Sequence, residues 1–221
     1  MLKAALAVAL VATSALAQVA PSSSDVAAYR GLFAAAAKGD VAAIPGQNGN
    51  INARDKNGRT PIIVAAFMQQ REAMRALAAA GADVNALDAD LYDLVTIAAV
   101  ANDVPTLETA LAIGNRASNI TSRYDGTALI AASHLGHVDV VRVLIRAGAP
   151  LDHVNNLGWT ALIESIVLGD GGARHTATLR ALVDAGANVN IADRNGLTPL
   201  HLAQANGYRE MSDILSQAGA Q

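Results

Sequence analysis

The residues of this chain whose types could do chemistry are five histidines, a run of aspartates and a glycine-rich loop. His134 follows Ser133, and Ser165 follows Glu164, so nucleophile and base types stand side by side. Consecutive residues diverge around a helix surface, and neither pair can converge on one substrate. No nucleophile–base–orienter spacing emerges elsewhere, and no catalytic residue is expected. The histidines show no two-histidine-plus-carboxylate spacing, so neither a metal site nor a cofactor is implied. The segment Asp88-Ala89-Asp90-Leu91-Tyr92-Asp93 has the outline of a calcium loop. It fails because Tyr92 offers no side-chain oxygen at the fifth position, and Ala99 stands where a bidentate glutamate is required. A solvated acidic turn is expected there. In Asp170-Gly171-Gly172-Ala173-Arg174-His175-Thr176, exposed amides, a helix dipole and Arg174 could hold a phosphate or carboxylate. Gly171, Gly172, Arg174 and Thr176 are therefore candidate anion-binding residues, although no phosphate-loop lysine accompanies them.

The elements that must position these groups recur with a period of about 33 residues. Thr60, Asp93, Thr127, Thr160 and Thr198 each open a helical unit, at separations of 33, 34, 33 and 38. Small residues follow at the fifth and sixth positions beyond the anchor: Ala65-Ala66, Ala98-Ala99, Ala132-Ser133 and Ala203-Gln204, with Ser165-Ile166 in the fourth unit. A glycine stands 21 positions beyond (Gly81, Gly114, Gly148, Gly219), and Gly186 keeps the pattern after a five-residue insertion. Thr60-Pro61 and Thr198-Pro199 are helix starts, with a capping hydroxyl and proline in the first turn. Val138, Val141, Leu144 and Ile145 form the apolar stripe of a second helix. Polar turns such as Asp55-Lys56-Asn57-Gly58 join one unit to the next. Such helix pairs cannot bury their faces alone, so stacking must supply the core. The unit at Asp93 lacks the Thr-Pro pair and the turn glycine, and is expected to be the least regular.

These residues resemble the ankyrin-repeat family. The run from Asp193 to Ala203, containing Thr198-Pro199-Leu200-His201, is similar to the family's signature, and Gly81-Ala82-Asp83-Val84-Asn85 and Gly186-Ala187-Asn188-Val189-Asn190 match its repeat ending. His134-Leu135-Gly136-His137 matches its helix-to-helix turn. The resemblance implies an all-α ankyrin-repeat solenoid of about six helix-turn-helix units with projecting β-turn fingers. The expected units are 25–54, 55–87, 88–121, 122–154, 155–192 and 193–221. It also implies a non-catalytic module that binds a partner protein through the finger tips and the concave face of the first helices. His137 and His201 would be structural, bonding between neighbouring turns. Carried onto this chain, the partner-binding candidates are Arg59, Phe67, Tyr92, Arg123, Tyr124, His134, Leu157, Trp159 and Arg194. Only seven aromatic residues occur in 221, and Tyr92, Tyr124 and Trp159 fall on successive expected tips. Aromatic side chains and arginine carry a disproportionate share of interface energy.

Composition bounds the rest. Apolar residues make up 52% and charged residues 16%, which excludes a disordered solvating chain. A net charge of −3 argues against nucleic-acid binding, and the absence of cysteine excludes disulfides and thiolate chemistry. Lys3, the apolar run from Ala4 to Ala12, and small Ala15 and Ala17 follow the order of a secretory signal. Cleavage is expected after Ala17, leaving 18–24 as a flexible lead-in and 25–221 as the repeat domain. The product would be an exported monomer of the periplasm or the medium, with no membrane insertion. An anion or small-molecule receptor at 170–176, or a secreted effector binding a host protein, are the alternatives.

Overall fold

The computed structural model describes residues 18–45 and 49–221; the expected signal segment lies outside them. Among the described residues there are twelve α-helices and no strand. Ser23–Ala28 (α1) and Gly31–Lys38 (α2) come first, and a 3-10 turn, Val41–Ala43, takes the place of a second helix. Helix pairs follow: Pro61–Phe67 (α3) with Arg71–Ala79 (α4), then Leu94–Val100 (α5) with Val104–Ala112 (α6). Next come Ala128–His134 (α7) with Val138–Arg146 (α8), and Ala161–Val167 (α9) with Ala173–Asp184 (α10). Pro199–Ala205 (α11) and Arg209–Gln217 (α12) close the chain. The class is all-α, built from repeated helix pairs.

Thr60 precedes α3 as expected, but its hydroxyl makes no cap bond; the side-chain caps stand at the later first helices. Thr127 Oγ1 accepts from Ile130 N at 3.3 Å and Thr160 Oγ1 from Ile163 N at 3.2 Å. Asp93 takes threonine's part in the unit that lacks it, accepting from Thr96 N at 2.8 Å. That unit was expected to be irregular, yet α5 and α6 have the same lengths, 7 and 9 residues, as α3 and α4. A carboxylate caps as well as a hydroxyl, and Pro105 falls in the first turn of α6, where its missing amide costs nothing. The irregularity is confined to the turn, where Leu91 has φ 65°.

The chain forms two compact units, residues 18–116 with 121–123, and residues 117–120 with 124–221. In the first, α2, α3 and α5 pack side by side, as do α4 and α6. In the second, α7, α9 and α11 make one layer and α8, α10 and α12 the other. Ile62, Ile63, Met74, Leu77, Leu94 and Leu107 are fully buried in the first unit, and Leu129, Leu144, Ile163, Leu179 and Leu215 in the second. Ala65, Ala99, Ala132 and Ala203 have no exposed surface, so small residues set the close helix approach read from the sequence. In α11 only Pro199 and Ala203 are buried.

Candidate functional site

Four of the turns that project from these layers, at 55–59, 88–92, 155–159 and 193–197, share one construction. Asp55 Oδ1 accepts from the amides of Asn57 and Arg59, each at 2.9 Å, and its own amide donates to Arg59 O at 3.0 Å. Asp88 does the same with Asp90 and Tyr92, Asn155 with Leu157 and Trp159, and Asp193 with Asn195 and Leu197. An aspartate or asparagine side chain thus closes each of these four fingers by satisfying two turn amides. Asp88 of the apparent calcium loop spends its carboxylate on this closure. Adjacent fingers are joined by backbone bonds: Ala89 N donates to Asn57 O at 3.0 Å and Ser122 N to Leu91 O at 2.9 Å within the first unit. Within the second, Asn156 N donates to Tyr124 O at 2.8 Å, and the Arg194 guanidinium reaches Asn156 O.

The residue that ends each finger separates the sequence candidates. Arg59, Tyr92, Trp159 and Leu197 occupy this equivalent position, just before the helix anchor. Arg59 is 0% exposed and Tyr92 3%, Trp159 is half-buried, and Leu197 is 41% exposed. Arg59 and Tyr92 are therefore corrected: neither presents an exposed tip. Arg59 is enclosed by Asp55 Oδ2 on Nε at 2.7 Å, Val19 O on Nη1 at 3.2 Å and Asp25 Oδ2 on Nη2 at 3.2 Å. Burial opposes the charge of Arg59, but these carboxylates outweigh it and hold its proton more firmly than usual. Tyr29 donates to Asp55 Oδ2 at 2.7 Å, and burial together with this bond pushes its phenol pKa up. Gln18, in the expected lead-in, donates from Nε2 to Thr96 O at 3.1 Å.

His134, also expected to face a partner, is 8% exposed. Its Nδ1 lies 3.2 Å from Glu164 Oε2, and Asn155 Nδ2 donates to Glu164 Oε1 at 2.9 Å. The buried carboxylate of α9 thereby links α7 to the base of the Trp159 finger. Burial of the pair demands such partners, so the imidazole is a supporting group beneath the finger. Sequence reasoning weighed Glu164 only as a base beside Ser165 and missed Asn155; a carboxylate at an otherwise apolar helix position was the available signal. The remaining candidates keep surface. Phe67, Tyr124 and Leu157 are half-buried, and Arg123 and Arg194 are exposed. Arg123 pairs with Asp90 at 2.9 Å.

The insertion is also corrected. Two of its residues lengthen the turn, and three lengthen α10 to 12 residues against the 9 of α8. Gly172 N donates to Asp170 Oδ1 at 2.9 Å, so the chain's own carboxylate holds the amide offered to an anion. That bond and the His175 ring, 2.8 Å away, hold the Asp170 carboxyl below its ordinary pKa. His175 Nε2 donates to His134 O at 2.9 Å, so this histidine, like His134, bridges neighbouring helix pairs. His201 bonds within its own turn to Thr198 Oγ1 at 2.8 Å. Thr176 is buried and donates to Gly171 O, while Arg174 is exposed. A Cβ on Gly171 would lie 2.3 Å from the Tyr208 ring, whose hydroxyl donates to Gly169 O at 3.0 Å. Gly171 admits an aromatic ring, and the Gly172 amide is taken by the chain's own carboxylate. Among the described residues no group of three or more His, Asp or Glu is placed to hold a metal, and no helix is long and apolar enough to cross a membrane.

Comparison with known proteins places the repeats in a family. Models of ankyrin repeats match residues 57–89, 95–172 and 172–215. The putative ankyrin repeat protein YahD of Escherichia coli (strain K12) is 34% identical over 172 residues, 77% of this chain and 85% of that protein. A solved ankyrin repeat domain from Acinetobacter baumannii AYE superposes with a TM-score of 0.80 at 43% identity, over 86% of this chain and 98% of that one. The ankyrin repeat protein EF0377 does so with a TM-score of 0.77 at 30% identity, over the same shares.

Proposed function

The chain belongs to the ankyrin-repeat family, and we propose from that premise that it is a non-catalytic module, exported to the bacterial envelope, that binds a partner protein. Ankyrin repeats are in general protein–protein interaction modules rather than enzymes. The observation that carries the reading is the apolar surface on the fingers of the second unit. Tyr124, Leu157 and Trp159 are half-buried, and Val154 and Leu197 are 45% and 41% exposed. The turns that carry Leu157, Trp159 and Leu197 are closed by Asn155 and Asp193, so these side chains are held out at low entropic cost. Exposed Arg194 beside them supplies a directional donor group. Export rests on Lys3, the run from Ala4 to Ala12 and the Ala15-x-Ala17 site. The chain acts as a monomer in this reading, and protection or scaffolding of an envelope protein is the role that fits it.

The test is capture from envelope extract with the chain lacking residues 1–17, beside Trp159→Ala and Tyr124→Ala. One protein enriched by the parent and lost from both folded variants supports the finger interface. Equal capture by all three removes it. Fractionation of the source cells tests export: the chain in the cytoplasm with Ala17 uncut would refute that half.

A further inference from the structure

Arg59 and Lys56 stand on the first complete finger, yet both are engaged by the segment that precedes the repeats. Val19 O and Asp25 Oδ2 supply two of the three partners of the Arg59 guanidinium, and Asp25 Oδ1 pairs with Lys56 Nζ at 2.8 Å. Elsewhere the segment is tied at its two ends, by Gln18 Nε2 to Thr96 O at 3.1 Å and by the Tyr29 hydroxyl to Asp55 Oδ2 at 2.7 Å. Its helix α1 buries no residue, and Val19 is 53% exposed. Lys56 is 74% exposed along its side chain, so water screens its end of the ion pair, while the Asp25 side chain is only 11% exposed. The Ser22–Asp25 capping box satisfies α1 internally, which lets the helix lift away without losing its own bonds. Arg59, by contrast, cannot be left open. Its side chain is 0% exposed, and a desolvated guanidinium demands oxygen partners on Nη1 and Nη2. Asp55 stays on Nε whatever happens to the segment, because both belong to the same turn.

The geometry points to a carboxylate-binding site on the first finger, formed by Arg59 and Lys56, that residues 18–29 fill as a displaceable strap and that an acidic peptide segment of a partner protein occupies in exchange. Only a like-for-like exchange keeps the guanidinium satisfied, and that is the source of selectivity. The incoming segment brings a side-chain carboxylate for Arg59 Nη2 and Lys56, and a backbone carbonyl for Nη1, as Asp25 and Val19 do now. An apolar or basic segment would leave the cations without oxygen and would be rejected. The strap thus sets a threshold that a weakly acidic surface does not cross. This inference rests on the protein-binding reading but uses a different unit from the Trp159 fingers, so each can fail alone.

The test uses the whole chain and a labelled synthetic peptide with the sequence of residues 18–30 as the probe. Asp25→Asn in the chain loosens the strap while leaving Arg59, Lys56 and Asp55 in place. The probe is expected to bind the Asp25→Asn chain about tenfold or more tightly than the parent, and a probe carrying asparagine for the aspartate is expected to lose that gain. Lys56→Ser, at an exposed side chain, guards against a folding defect. It should speed amide exchange across 22–29 in the otherwise parental chain without changing exchange in α5 and α6. Equal probe affinity for parent and Asp25→Asn chains overturns the proposal. So does indifference to the probe's carboxylate, or strap amides that exchange only with global unfolding. If the probe behaves as expected while envelope capture fails, the site stands and the Trp159 interface alone is lost.

Discussion

Asp55 and Asp88 close equivalent fingers with the same pair of amide bonds, yet their surroundings set opposite responses to one substitution. Burial raises the Asp88 pKa above its ordinary 3.8, and the amides of Tyr92 and Asp90 together with the Arg59 charge do not offset it. A raised carboxyl binds its proton more tightly when folded, so its contribution is best below 3.8 and declines as pH rises through the folded value. Asp88→Asn keeps the acceptor oxygen, as Asn155 does in its own finger, and removes the charge. Chemical denaturation at several pH values should show this variant more stable than the parent at pH 7 and equal to it in acid. Asp55 has the reverse balance. Burial pushes its pKa up, but hydrogen bonds from Tyr29 and Arg59 outweigh that and leave it lowered. Asp55→Asn deprives a buried guanidinium of its nearest counter-charge and should cost about 3 kcal/mol at pH 7. Leu91 pairs naturally with these two, because Gly58 has φ 71° at the equivalent turn position and Leu91 has 65°. Leu91→Gly should relieve about 1 kcal/mol of left-handed strain, read as a higher denaturation midpoint at unchanged slope.

At the scale of elements, the α9–α10 connection is the instructive case. Its glycines invite a phosphate-loop reading, but the turn is filled by Asp170 on its amide, His175 on His134 O and the Tyr208 ring over Gly171. Gly171→Ala places a Cβ inside that ring at φ 67°, and should cost well over 1 kcal/mol. Tyr208→Ala in the same chain should recover the steric part and leave the backbone part, which a double-mutant cycle by denaturation resolves. Asp170 contributes stability that is complete above its ordinary 3.8 and is lost as pH falls through its depressed folded value. The helices themselves were legible in advance, since their caps, prolines and apolar stripes are local. The unit at Asp93 was read as irregular because threonine and proline were missing. Asp93 nonetheless caps α5 and accepts from Asn115 Nδ2 at 3.1 Å. Asp93→Ala should therefore cost about 2 kcal/mol.

For the whole molecule, repetition makes stability a sum of near-neighbour terms, so a surface residue on one finger can change binding without changing folding. Trp159 is the case to measure. Its backbone closes the turn through Asn155, and its half-buried ring does not, so Trp159→Ala should shift stability by less than about 1 kcal/mol. Partner affinity should fall by about 2 kcal/mol or more, read by titration against the captured protein. A comparable loss of folding would assign the ring to the core. The amino-acid sequence by itself determined the period, the all-α class, the helix starts and the five-residue insertion. Each of these follows from contacts within one repeat or from its nearest copy, and a 33-residue register carries that information. Tertiary structure alone decided what covers each finger. Arg59 and Trp159 hold the same repeat position, yet Arg59 lies beneath Asp25, 34 residues away and outside the repeat. Gly171 likewise meets Tyr208 of the next helix pair. Burial at a repeated position depends on which distant residue arrives there, and no periodicity encodes that.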